Sequence, residues 1–472
     1  MNRFSARTWF LMALAVLGAV CVANVVLDAR FKLLPKPTSD GPVYENMAYH
    51  LSEGRGFWID WHAPKWREPY EQSMERDDFQ VYLDAPSQAM PMTGRPPLFP
   101  AVVAVVYGLI ERGPVAFAIV RLISAVCLAL ACAVAVANAA TILAKLELSN
   151  RKLSSWSMRC GCASAVLLAA SNRTLLSYAS DFLTEPLALL LTQLFVAGLL
   201  AMTPSRASMS QPLSWRFVLA MGGLLASMIL VRSLFVLWLP GLWVLIMVIR
   251  NRSRLRDASL VIMVAIVCLS PWWIRNCLVL ERFMPLGTQG PITLLGGYCD
   301  EALAGGGDWQ HAPEQRLRES LSNDSDFNAL PNDVARELKV ADEAKVLVRK
   351  WIANHVQELP RLFVARVVTH WNPYTGKSLV WRLLILAGAV YLVANRRPEA
   401  WVLVGLPLMN TILVAALYTT GGRFLVPLYG ILFTLSAIGV AVLVELVRVR
   451  LVKLSAGTSE VGDAQVRDAK PL

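Results

Sequence analysis

SDGPVYENMAYHLSEGRGF, residues 39–57, lies between an apolar run of near-membrane length and a long polar loop. Asp40 with Gly41-Pro42 predicts a helix start, because Pro suits the first turn and Ser, Asp or Gly can cap it. Tyr44, Met47, Ala48 and Leu51 recur at helical spacing, and Gly54 with Gly56 supplies the stop. The spacing predicts a short amphipathic helix with a carboxylate at its entrance, held against a membrane by the segment before it. Asp40 therefore has two readings, helix cap or chemical group, and the rest of the chain bears on the choice.

Outward from this stretch, apolar sequence dominates. Of 472 residues, 56% are hydrophobic and 17% charged, with a mean hydropathy of +0.48. Soluble domains carry about a quarter charged residues. Several runs approach the roughly 20 residues that span a bilayer. The fold class is an all-α polytopic membrane protein.

The net charge of +11 is not gathered on one face, as nucleic-acid binding would require. Arg3 and Arg7, Lys145 to Arg159, Arg206 and Arg216, RNRSRLR at 250–256, Arg396-Arg397 and the tail from Arg448 hold 19 basic residues and few acidic ones. The two long polar loops, 28–97 and 275–378, hold 20 basic against 24 acidic residues. By the positive-inside rule the basic segments are cytoplasmic and the long loops lie outside. No nucleic-acid partner is expected.

Trp9–Leu27 is long for a cleaved signal and lacks a small-x-small site, so it reads as an uncleaved anchor. The loop 28–97 ends in TGRPPLFP at 93–100. The next apolar piece, 98–110, is too short to span. If it crossed, the basic loop 145–159 would fall outside, so it reads as a re-entrant or juxtamembrane helix on the outer side. Crossings then run through 115–143, 160–170 and its exit SNRTLLSYASDFLTEP, 187–202, 217–231, 233–250, 258–273, 379–394, 400–418 and 424–447. That makes about ten with both ends inside, and a further helix is expected over 333–358. Cys277 and Cys299 share the outer loop and are a candidate pair on compartment alone.

With that topology, Arg95, Arg121, Arg173, Asp181, Glu185, Arg232, Arg275 and Arg423 all fall at or near outer ends of segments. A charge at mid-bilayer costs about 2.5–3.5 kcal/mol on insertion scales. Single charges near the interface are explained by snorkelling; eight on one side predict a polar, net-basic cavity. Arginine binds phosphate bidentately and keeps its charge, and Asp40, Asp181 and Glu185 offer a general base. Together they fit group transfer from a lipid-linked phosphate. None of the five histidines has metal-ligand spacing; no metal site or cofactor is called for, and a divalent cation is not indicated.

SDGPVYENMAYHLSEGRGF, GRPPLFP, the RLISA run at 121–125, SYASDFLTEP, LVRSLFVLWLP, SPWWIRN and GGRFLVP, taken in that order, resemble the GT-C glycosyltransferases. These are the multi-spanning class that includes protein O-mannosyltransferases and the lipid A aminoarabinose transferase. The stretch 343–371 resembles the one preceding that family's last helices. The resemblance implies a GT-C-like transmembrane catalytic module over 1–274, an outer loop over 275–378, C-terminal helices over 379–447 and a tail over 448–472. It implies Asp40 as catalytic base and a polyprenyl-phosphate sugar donor bound at the outer (periplasmic) face of the plasma membrane. The acceptor is a lipid, glycan or protein. Arg423, Arg275, Arg95 and Arg232 are then donor-phosphate ligands, with Tyr44, Glu45, Asp181, Glu185 and Arg121 as further site candidates. Many members carry a second acid directly after the first Asp, where this chain has Gly41, and the outer C-terminal part is small. The competing expectations are a lipid-linked sugar flippase or other transporter, and a scaffold subunit needing no catalytic Asp. No internal repeat of the transporter kind is visible.

Overall fold

The computed structural model describes residues 5–29, 34–36, 39–73, 76–84, 89–148, 151–203, 212–249, 254–372 and 376–467. Arg206 and residues 250–253 of the basic run lie outside them.

The principal helices, in chain order, are α1 (Ala6–Ala29), α2 (Gly41–Ser52), α3 (Leu98–Leu109), α4 (Pro114–Leu143), α5 (Ser155–Ala170), α6 (Glu185–Ala201), α7 (Trp215–Val231), α8 (Trp238–Ile249), α9 (Arg254–Leu280), α10 (Gln289–Gly297), α11 (Asp333–Asn354), α12 (Leu359–Trp371), α13 (Gly376–Ala394), α14 (Gly405–Leu417) and α15 (Tyr429–Arg467). Among the described residues, five segments are long and apolar enough to cross a membrane: 6–27, 114–143, 255–280, 399–417 and 423–452. Leu98–Leu109, Glu185–Ala201, Trp215–Val231, Ser233–Ile249 and Ser378–Ala394 are shorter apolar helices. The chain is a predominantly helical, multi-pass membrane protein. α5, expected as a crossing from 160, is a 16-residue helix in neither group.

The bundle is built around α4 and α15. α1, α6 and α15 pack on α4, α5 and α13 pack on α15, and α9 carries α7 and α8. Burial of Ala131, Ala135 and Ala139 on α4, all 0% exposed, lets backbones approach closely, which is how helices associate where no water drives them together. Two smaller cores stand apart from that of the bundle. One is aromatic, with Trp61, Trp66, Tyr70 and Phe79 beneath α2 and α3; the other joins α10, α11 and Ala312–Ser322.

α2 departs from the amphipathic helix expected of its sequence. Tyr44, Glu45, Asn46, Met47, Ala48, Tyr49 and His50 are all buried. The chain that follows returns through β1 (Trp58–Asp60) and β2 (Ala89–Pro91), paired antiparallel, and wraps the helix instead of leaving a face for lipid. The part of 275–378 that reads as Gly-rich and polar also folds, into α10 and Ala312–Ser322. The helix expected at 333–358 is α11, which ends at Asn354. The 274/275 boundary falls inside α9, and the 447/448 boundary inside α15. Cys277 and Cys299 are free thiols, and Cys299 caps the short helix Asp300–Ala304 through its sulfur.

The orientation read from charge has a direct check. Single cysteines at Gln72 and Asn323 should react with an impermeant reagent in intact cells, and those at Ser253 and Gly462 only after permeabilisation. Reaction at 253 from outside would overturn the ten-crossing arrangement. Ser253 itself lies outside the described residues.

Candidate functional site

Asp40 stands at the entrance of α2 with φ −71° and ψ −2°, and its side chain makes no capping bond. Ser39 caps instead: its Oγ accepts from the Gly41 amide at 3.0 Å. Both Asp40 oxygens go to arginines. Arg95 Nη2 donates to Oδ1 at 2.8 Å, and Arg423 Nη1 pairs with Oδ2 at 2.8 Å. Arg423 also donates from Nε to Glu185 Oε1, and Arg232 Nη1 donates to the same oxygen at 3.0 Å. Five ends of chain thus meet: the start of α2, the turn before α3, the first residue of α6, the residue after α7 and the turn leading into α15. The site holds three guanidiniums against two carboxylates, an excess of one positive charge.

Burial raises the Asp40 pKa, but the charges of Arg95 and Arg423, the hydrogen bond from Arg423 and the charge of Arg232 outweigh it and hold the group at about 2. Tyr44 lies under the Arg95 guanidinium at 5.9 Å, and Arg232 lies 5.3 Å from the Phe424 ring.

The other predicted residues divide. Glu45 is fully buried on a different face of α2 and accepts from Trp66 Nε1, Tyr70 Oη (3.0 Å), Tyr107 Oη (3.1 Å) and Arg112 Nε (2.6 Å). It is the centre of the aromatic core and is not joined to Asp40. Asp181 Oδ1 accepts from the amides of Lys36 (3.1 Å) and Phe182 (2.8 Å), holding the approach to Asp40 in place. Arg121 donates to the Leu34 carbonyl at 2.8 Å, fixing the same approach. Arg173 is exposed and outside the cluster. Arg275 is not brought in either. Its Nη1 donates to Met92 O at 2.7 Å and its Nη2 to Phe57 O at 3.1 Å, so it clamps the residues flanking the β1–β2 pair, with Trp272 at 4.9 Å.

Solvent access separates the four carboxylates. The Asp40 side chain is 20% exposed and the Glu185 side chain 0%, while Glu45 is 0% and Asp181 1% exposed. Asp40 alone among them is reachable. Position 41 has no room for a second acid: a Cβ there would stand 2.8 Å from Pro35 Cβ and 3.2 Å from Asp181 Oδ1. The second carboxylate of the site comes instead from Glu185, across Arg423.

Two participants in the cluster, and one partner of Glu45 outside it, escape a reading of the sequence. Gln289, with its amide turned to suit both neighbours, accepts from Arg95 Nη1 at 3.1 Å and donates to Gly94 O at 2.6 Å. Tyr418 is in electrostatic contact with Arg232, Arg95, Arg423 and Asp40. Arg112 pairs with Glu45. Arg112 and Tyr418 carried a signal, since one precedes an apolar run and the other stands five residues before Arg423. Gln289, the first residue of α10, stands in a stretch that reads as Gly-rich and polar and carried none. The Arg423 turn is itself held from outside the bundle. Asp308 Oδ1 accepts from the Gly421 amide at 2.8 Å, and the Trp309 amide donates to Thr419 O at 2.8 Å. Among the described residues no group of three or more His, Cys, Asp or Glu side chains is placed to hold a metal ion.

The fold and this site define a class: a helical membrane protein with a charged, partly open cluster where its long loops meet the bundle. No family model matches the chain, and no curated protein matches it. Among solved structures it is similar to the crystal structure of ArnT from Cupriavidus metallidurans bound to undecaprenyl phosphate, at 14% identity and a TM-score of 0.38, over 91% of this chain and 77% of that one.

Proposed function

We propose that the chain is a membrane glycosyltransferase that moves a sugar from a polyprenyl-phosphate donor to an acceptor at the outer face, inverting the anomeric centre. The observation that carries this reading is Asp40, the one solvent-reachable carboxylate of the set, fixed between guanidiniums. The acceptor O–H or N–H proton passes to an Asp40 oxygen as the acceptor atom bonds to the anomeric carbon. The bond from that carbon to the phosphate oxygen breaks, and its electron pair leaves on the phosphate. Arg423, Arg232 and Arg95 stabilise the charge that grows there. Arg275 serves by holding the first loop over the site. Beside Arg95, Leu230, Leu269, Trp272 and Trp273 wall a small crevice.

The test is transfer by the purified protein from synthetic polyprenyl-phosphate sugars to a panel of lipid, glycan and peptide acceptors. Movement of labelled donor across proteoliposomes without transfer would give the flippase reading instead. Arg423→Ala should weaken donor binding, because a charge-assisted contact is worth about 1.5–3 kcal/mol. Arg423→Lys should restore part of it, since an ammonium cannot make the planar fork. Equal donor affinity in wild type and Arg423→Ala would remove this residue from the phosphate site.

A further inference from the structure

In the structure each oxygen of Asp40 is bonded to a guanidinium, which makes it a weaker proton acceptor. Oδ1 is held by Arg95 and Oδ2 by Arg423, each at 2.8 Å. The same guanidiniums are the ones a donor phosphate would engage. Arg423 alone has a second carboxylate, because its Nε is held by Glu185, which is fully buried and also holds Arg232. Resting on the donor reading above, we propose that donor phosphate and Asp40 compete for these guanidiniums, so that donor binding is what frees the base. Arg423 turns its Nη1 from Asp40 to the phosphate while Glu185 keeps its Nε. Arg95, which also has Gln289 to bond, does the same from the other side. Glu185 is then the positioning residue that keeps Arg423 in the site through the exchange, and deprotonation of the acceptor follows donor binding.

The charges around Asp40 agree with this order. The cations facing it are Arg95, Arg423 and Arg232, and the facing anion is Glu185. The phenols within electrostatic reach are Tyr44, Tyr82 and Tyr418, none of which can compensate a carboxylate. A base clamped by two guanidiniums is a poor acceptor of protons. Removing one opposite charge at this range returns about 1–3 pKa units to a carboxylate. The exchange therefore couples occupancy by donor to basicity.

The experiment reads the exposure of Asp40 chemically. The full chain in nanodiscs is treated with a water-soluble carbodiimide and an amine at fixed pH, with and without saturating polyprenyl phosphate, and carboxylate labelling is mapped by mass spectrometry. The reagent attacks the carboxylic acid form, whose population rises tenfold per pKa unit. Exchange therefore predicts labelling of Asp40 on the order of tenfold faster or more with ligand bound. Asp342, in an exposed pair with Arg282 on the outer helices, serves as the unchanged control. In Arg423→Gln, Asp40 should label fast without ligand. Polyprenyl phosphate that binds, by its effect on tryptophan fluorescence, yet leaves Asp40 labelling unchanged or slower overturns the exchange while sparing the donor site. Absence of binding overturns the donor reading and the exchange with it.

Discussion

Asp40→Asn should fold and bind donor while its turnover falls by about 10²–10⁴-fold, the usual cost of losing a general base. The substitution keeps the shape and one acceptor oxygen but removes the charge. If Asp40 served only to start α2, Asn would do as well, since Asn caps helices about as effectively as Asp. The structure makes the contrast sharper, because the cap is Ser39 and the Asp40 oxygens point to arginines. Initial rates on purified variant and wild type, with donor affinity measured separately, check the expectation. Robust turnover by Asp40→Asn would end its role as base. Glu45, Asp181 and Glu185 are all buried, so none of them stands ready to replace it.

A second large effect is expected far from any chemistry. Arg112→Ala leaves Glu45 as a charge inside the aromatic core of the first loop, where its pair is 10% and 0% exposed. Stranding one member of a buried ion pair costs about 3–5 kcal/mol. The Trp66, Tyr70 and Tyr107 donors remain, which favours the lower end. The readout is faster proteolysis within 60–91 and a lowered thermal midpoint. The double variant Arg112→Met/Glu45→Leu should recover much of the loss, because replacing both charges removes the stranded one. Undiminished protease resistance in Arg112→Ala would show that the pair does not hold the loop.

The membrane bundle was legible because its signals are local: runs of apolar residues, basic turns between them, and Gly-Pro or Gly-Gly at their ends. The grouping of Asp40, Arg95, Glu185, Arg232 and Arg423 was legible as well, for charges at membrane edges are costly enough to mark themselves. What stayed hidden was which charge pairs with which. Arg275 looks like Arg423 in sequence, each beside an apolar segment, yet one spends its donors on backbone carbonyls and the other bridges two carboxylates. Glu45 lies five residues from Asp40 but on another face of α2, in a core made by residues 21 to 67 positions away. Partner choice over such separations is a property of packing, and no periodicity encodes it. The amphipathic reading of α2 failed for the same reason, since the chain that covers it comes from its own loop.

The seam between the two long loops has a consequence for what can be cut away. At Gly287, which takes φ +75°, a side chain would stand 2.0 Å from the Thr93 carbonyl oxygen, two residues before Arg95. Gln289 then fastens Arg95 and Gly94, and Asp308 fastens the turn that carries Arg423. The later loop is thus the back wall of a site whose front is the earlier one. It cannot be a detachable module, because excising it would unseat two guanidiniums at once. Length can change freely in a lineage only where backbone is not wedged. Growth and shrinkage should therefore concentrate on the exposed turns around 322–332, leaving 284–310 constant in length. A minimal working unit of this protein has to keep both loops, however short the helices between them become.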